Sequence, residues 1–187
     1  MNLWTRRLIG WSAMAAPALH TLTDLVEWTQ GGFSQPQLWL NYAAFVPVPA
    51  ILIGLYAAQR PRISGLGLAG ALSYGFAFIY FAHTTLVAIS TNAPDYEALW
   101  SGLGGMYTLH GAVMVAGGAA FAWATLQAAV VPRWTAAVFL VGAVVNLVLA
   151  LLPAPDLLQT VGTTLRNVGL IGMGRAIALA APPNTDV

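Results

Sequence analysis

Near the start of the chain, His20, Asp24 and Glu27 stand at i, i+4 and i+7 in the run Ala-Pro-Ala-Leu-His-Thr-Leu-Thr-Asp-Leu-Val-Glu-Trp. That spacing sets all three on one face of a helix. The surrounding residues are apolar. Ionisable groups are expensive in hydrocarbon, and where they occur they usually face a protein interior or a water-filled cavity. An imidazole and two carboxylates on one such face are the groups of general acid–base catalysis or of a metal centre.

Two further histidines, His83 and His110, and one arginine, Arg166, also lie inside apolar stretches. An arginine near a bilayer centre costs about 2.5 to 3.5 kcal/mol even on lenient scales. It therefore calls for a carboxylate partner, and Asp24 or Glu27 is the candidate. Two carboxylates against one guanidinium leave a negative charge to balance. A buried pocket can protonate a carboxyl group, protonate a histidine or bind a cation. The first supplies a general acid; the last supplies a metal site.

The elements that must position these groups follow from composition. Hydrophobic residues make up 58% of the chain and charged residues 7%, with a mean hydropathy of +0.73. Ordinary soluble domains carry roughly 25% charged residues. An all-α integral membrane protein is the expectation. Its 187 residues accommodate about six spans of ~20 residues, with short loops and no separate soluble domain. No basic stripe suited to nucleic acid is present. All basic residues are arginine, so no lysine can form a retinal or pyridoxal Schiff base. The absence of cysteine removes thiol redox chemistry, thiolate metal sites and c-type haem attachment.

Apolar runs and turn residues predict spans over residues 8–29, 38–59, 63–90, 105–130, 134–152 and 157–180 of a single transmembrane domain, 1–187. Pro47 and Pro49 should kink the second, and 91–104 is long enough for a short lid. Trp4-Thr5-Arg6-Arg7 resembles the opening of a secretory or twin-arginine signal. The run continues unbroken into His20 and Asp24, however, and is expected to remain as the first span. Gly65, Gly67, Gly70 and Gly75, and Gly162, Gly169, Gly172 and Gly174, suit close helix contact and suggest a homodimer.

Arg6, Arg7, Arg60, Arg62, Arg133 and Arg175 fall on one side of an even-spanning chain, whereas Asp95, Glu97 and Asp156 fall on the other. The positive-inside rule then makes both termini cytoplasmic, in a plasma (inner) membrane, bacterial in type. Trp28, Trp39, Tyr96 and Trp100 should mark the outer interface and Trp4, Trp11 and Trp134 the inner one. A rise of ~1.5 Å per residue then puts polar residues from every span in the outer half: His20, Asp24, Glu27, Asn41, Tyr42, Tyr80, His83, Thr84, Thr85, Tyr107, His110, Asn146, Arg166 and Asn167.

The leading expectation is an intramembrane enzyme performing an isomerisation, cyclisation or hydration on a lipophilic small molecule. Asp24, Glu27, His83, His110 and Arg166 would be catalytic. His20, Asn41, Tyr42, Phe76, Tyr80, Trp100, Tyr107, Asn146 and Asn167 would line the pocket, their aromatic faces stabilising developing positive charge. A metal ion on His20, Asp24, His83 and His110, or a haem between His83 and His110, is the alternative. A small-molecule or ion carrier with a broken second helix and an accessory subunit without chemistry are the others.

Overall fold

The computed structural model describes residues 1–150 and 156–180. Among these there is no strand, and eight helices follow one another: α1 (Leu3–Gln30), α2 (Gln35–Phe45), α3 (Val48–Gln59), α4 (Gly65–Thr91), α5 (Tyr96–Leu103), α6 (Gly105–Ala128), α7 (Arg133–Ala150) and α8 (Asp156–Leu179). Local chemistry sets the ends. The Asn2 side chain accepts from the Thr5 N–H at 2.8 Å and opens α1, which closes on left-handed Gly31. Asp95 caps α5 in the same way through the Ala98 N–H. Pro47 and Pro49 lack an N–H, so the Ala43 and Phe45 carbonyls lose their helical partners. The expected kink is accordingly a full division into α2 and α3.

The first helix starts at Leu3 rather than at residue 8 and takes in both arginines, and the 91–104 connection contains α5. Residues 151 and 152, expected to end the fifth span, lie outside the described residues.

Ring order follows chain order. α1 packs on α8, α8 on α7, α7 on α6, α6 on α4, α4 on α2 and α3, and these on α1. Neighbours run antiparallel: Gly10 of α1 faces Gly174 and Ala178 of α8, Gly67 of α4 faces Ala124 of α6, and Gly142 and Phe139 of α7 face Gly162 and Gly169 of α8. Arg6, Arg7, Arg60, Arg62, Arg133 and Arg175 therefore gather at one end of the ring, with Asp95 and Glu97 at the other.

The ring is apolar on its outside, and the few polar side chains it buries sit within an otherwise apolar interior. Trp4, Leu22, Phe76, Ile79, Leu109, Trp123 and Val141 are exposed, whereas His20, Thr23, Gln37, Asn41, Asn146, Arg166 and Asn167 are buried. Three stretches are long and apolar enough to cross a membrane: Gln35–Gln59, Gly65–Thr91 and Gly105–Ala128. The expected count of six is thus met by three on length and composition, and Arg133–Leu149 is apolar but shorter. A physical reason separates α1 and α8 from the rest. A hydropathy average counts every side of a helix, and these two carry His20, Thr23 and Asp24, and Thr163, Arg166 and Asn167.

Of the small residues that suggested a homodimer, all but Gly65 are packed against other parts of the chain. A Cβ at Gly70 would meet the Phe121 backbone, at Gly75 Pro49, at Gly169 Phe139, and at Gly174 Gly10 and Ala13. At Gly111, inside α6, a Cβ also meets nothing within 4 Å. Gly111→Ala is therefore expected to stabilise by about 0.5–1 kcal/mol through helix propensity. A raised midpoint of thermal unfolding in detergent would show it.

Candidate functional site

α1 turns His20 and Asp24 inward together, one helical turn apart, with His20 Nε2 3.5 Å from Asp24 Oδ1 and side chains 10% and 13% exposed. The Phe45 and Phe78 rings meet the imidazole edge-on, at centroid distances of 4.7 and 6.3 Å. The division after Phe45 matters here, because it ends α2 with a ring against His20. Thr23 anchors this part of α1: its hydroxyl donates to the His20 carbonyl at 2.8 Å and lies 3.2 Å from Asn41 Oδ1.

Arg166 enters from α8 and is 3% exposed. Its guanidinium carbon lies 6.0 Å from the Tyr74 ring centroid and 5.8 Å from that of Phe78, at the outer limit of cation–π attraction. Nη1 is 3.1 Å from Met114 Sδ, and Nε has no hydrogen-bond partner. Asp24 and His20 both feel this charge. The expected direct pairing of Arg166 with Asp24 is corrected, since Asp24 lies against His20 and the guanidinium acts on it from further away. A carboxylate one turn along the same helix is the nearer group. Asn167 donates to the Thr21 hydroxyl at 3.0 Å, tying α8 to α1.

A second group covers the acidic end. Tyr96 of α5 and Tyr107 of α6 belong to it. Tyr96 also meets Phe33, and Tyr107 meets Phe81 and Trp100. Glu27 is partly buried.

The other sequence candidates lie elsewhere. His83 is exposed on the outer side of α4; at 100° per residue it stands about 140° round the helix from Phe78. Phe76 is likewise outside, at 58% exposure, and Trp100 is exposed. His110 is buried, but its ring lies flat on Tyr80 at 3.7 Å with Phe76 beyond, and its Nδ1 is 2.8 Å from the Met106 carbonyl. His83 and His110 thus do not form the expected acid–base partners across a pocket from Asp24. Asn146 bonds Gln159 and Thr163 between α7 and α8, and Tyr42 packs by Trp39. Thr84 and Thr85 donate to the Phe81 carbonyl of their own helix.

Among the described residues no three histidine, aspartate or glutamate side chains come together as a metal set. Of His20, Asp24, His83 and His110, only the first two meet. A haem held between His83 and His110 fits no better, because one ring faces outward and the other is stacked on Tyr80.

Sequence reasoning passed over Phe45, Tyr74, Phe78 and Met114, all now at the centre. Tyr74, Phe78 and Phe81 at i, i+4 and i+7 gave a signal, an aromatic stripe on one face. Thr21 opposite Asn167 gave none, since their contact joins the two ends of the chain. A cavity of about 10 Å³ lies beside His20, bounded by Ala44, Tyr74, Phe78 and Asn167 among others.

Chemically, a carboxylate that holds one nitrogen of an imidazole fixes its tautomer and leaves the other nitrogen to give or take a proton. Aromatic walls exclude water and lower the local dielectric, which strengthens the effect of Arg166. The chain matches no protein-family model, no curated protein and no solved structure.

Proposed function

We propose that the chain is a six-span protein of the plasma membrane that performs acid–base chemistry on a lipophilic small molecule, of the isomerisation, cyclisation or hydration type. His20 and Asp24 give and take the proton, Arg166 supplies a fixed positive charge, and Phe45, Tyr74 and Phe78 form the apolar wall. The observation that carries this reading is the His20–Asp24 pair beside aromatic rings, with the buried Arg166 guanidinium 5.8 Å from the Phe78 ring that also meets the imidazole. A pair kept only for helix packing has no need of a third, costly charge.

Each of the three reactions, when begun by protonation of carbon from an acid that exchanges its proton with solvent between turnovers, places a solvent-derived hydrogen on carbon. Solvent deuterium therefore reports turnover of any such substrate, whatever its structure. Membranes containing the protein are incubated in D2O, and the extracted lipids are compared by mass spectrometry with those from membranes lacking it. A lipophile that gains deuterium only when the protein is present is the expected result. No protein-dependent deuterium in any lipid would overturn the reading.

Both termini lie in the cytoplasm in this proposal, because the arginine-rich end of the ring belongs on the inside. The cysteine-free sequence makes the orientation easy to read. Glu97→Cys is expected to react with a membrane-impermeant maleimide in intact cells, and Arg62→Cys only after permeabilisation. The reverse pattern would invert the orientation.

A further inference from the structure

We infer that the cavity between His20, Tyr74 and Asn167 is a binding site for a single water molecule. Three observations converge on it. Tyr74 is fully buried, and its hydroxyl has no hydrogen-bond partner in the protein. Tyr74 also bounds the cavity beside His20, whose volume of about 10 Å³ matches the ~10–15 Å³ that one water centre requires. Finally, the other two polar residues of the lining each have a group to offer. His20 directs Nε2 to Asp24, which leaves Nδ1 as an acceptor when the Nε2 hydrogen faces the carboxylate. Asn167 uses its amide nitrogen on Thr21, which leaves Oδ1.

The donors and acceptors then balance. The water accepts from the Tyr74 O–H and donates one hydrogen to His20 Nδ1 and one to Asn167 Oδ1. Three bonds is the usual number for a buried water. Ala16, Ala44, Val48 and Leu170 supply apolar lining, and the volume admits one water and no larger ligand. It joins α1, α4 and α8 at the level of the His20–Asp24 pair. Tyr74 becomes a positioning residue, acting on His20 through the water. Service as a proton relay rests on the acid–base reading above, whereas occupancy of the site does not.

Two variants test occupancy by the sign of their effect on thermal stability in detergent. Tyr74→Phe removes a hydroxyl that the water satisfies and is expected to lower the unfolding midpoint by about 2–4 °C. In a dry cavity the same change removes an unsatisfied polar group and leaves the midpoint unchanged or raises it, which would overturn the inference. Ala44→Val places methyl groups where the water sits. It is expected to lower the midpoint by clearly more than the ~1–3 °C that valine's weaker helix propensity costs, and a smaller fall, no change or a gain, as in the filling of an empty apolar void, would overturn the inference. Should Tyr74→Phe fail to fold, Ala44→Val decides. Neither measurement depends on turnover. A stability result against the water with protein-dependent deuterium still present would leave the acid–base reading standing, and the opposite combination would remove that reading alone.

Discussion

Asp24→Asn is expected to reduce protein-dependent deuterium incorporation by about 10²–10⁴-fold, the usual contribution of a positioned acid or base. Asparagine keeps the size of the side chain and its place 3.5 Å from His20 Nε2. It cannot carry the charge that orients the imidazole, nor take up a proton. The fold should survive, because Asp24 is held mainly by its own helix and the α1–α8 contact is made through Gly10 and Gly174. His83→Ala is the matched control. His83 is exposed on the outer side of α4, so its removal should leave incorporation unchanged. Equal losses in both variants would show that the site has been drawn around the wrong histidine. Full incorporation by Asp24→Asn would remove the acid–base assignment itself.

Gly142→Val should have the largest effect on stability. A Cβ at this position meets the backbone nitrogen of Arg166, with the Gly162 carbonyl oxygen at 2.7 Å and Arg166 Cα at 2.8 Å. Backbone cannot rotate aside as a side chain does, so α7 and α8 must part. Overpacking of this kind costs about 3 kcal/mol, which corresponds to a fall of about 6–12 °C in the unfolding midpoint. The displacement falls directly on Arg166, so incorporation should drop with stability, even at temperatures where the variant remains folded. Thermal unfolding in detergent and the deuterium assay at low temperature measure the two effects separately. A variant as stable as the parent would mean that α7 and α8 do not pack as closely as described.

Both results depend on features that differ in how far the amino-acid sequence reveals them. Where helices begin and end is local: Asn2, Asp95, Gly31 and the prolines at 47 and 49 act within a turn of their own positions. The height of a residue along the bundle is local too, because rise per residue is constant. The gathering of six arginines at one end and of His20, Asp24, Arg166 and Asn167 in one half was legible for that reason. The direction in which each side chain faces was not. In a soluble helix the hydrophobic stripe marks the inside, but here lipid and bundle interior are equally apolar, and the pattern on α4 does not separate His83 from Thr84. Packing made that choice, placing Tyr74 and Phe78 inward and Phe76 and His83 outward.

The glycines show the same division. Sequence marked those of the third and sixth spans as contact points but could not name the partner, since a Cβ-free surface fits a second copy or a neighbouring helix equally well. Only closure of the ring, with α1 against α8, assigns Gly174 to Gly10 and brings Asn167 to Thr21 across almost the whole chain. The sequence by itself thus determined composition, helical rods and the height of each charge along its own rod, all of which depend on residues near one another in the chain. The azimuth of each rod, and with it the pairing of His20 with Asp24 under Arg166, was decided by tertiary structure, because only contact between distant segments distinguishes two equally apolar sides.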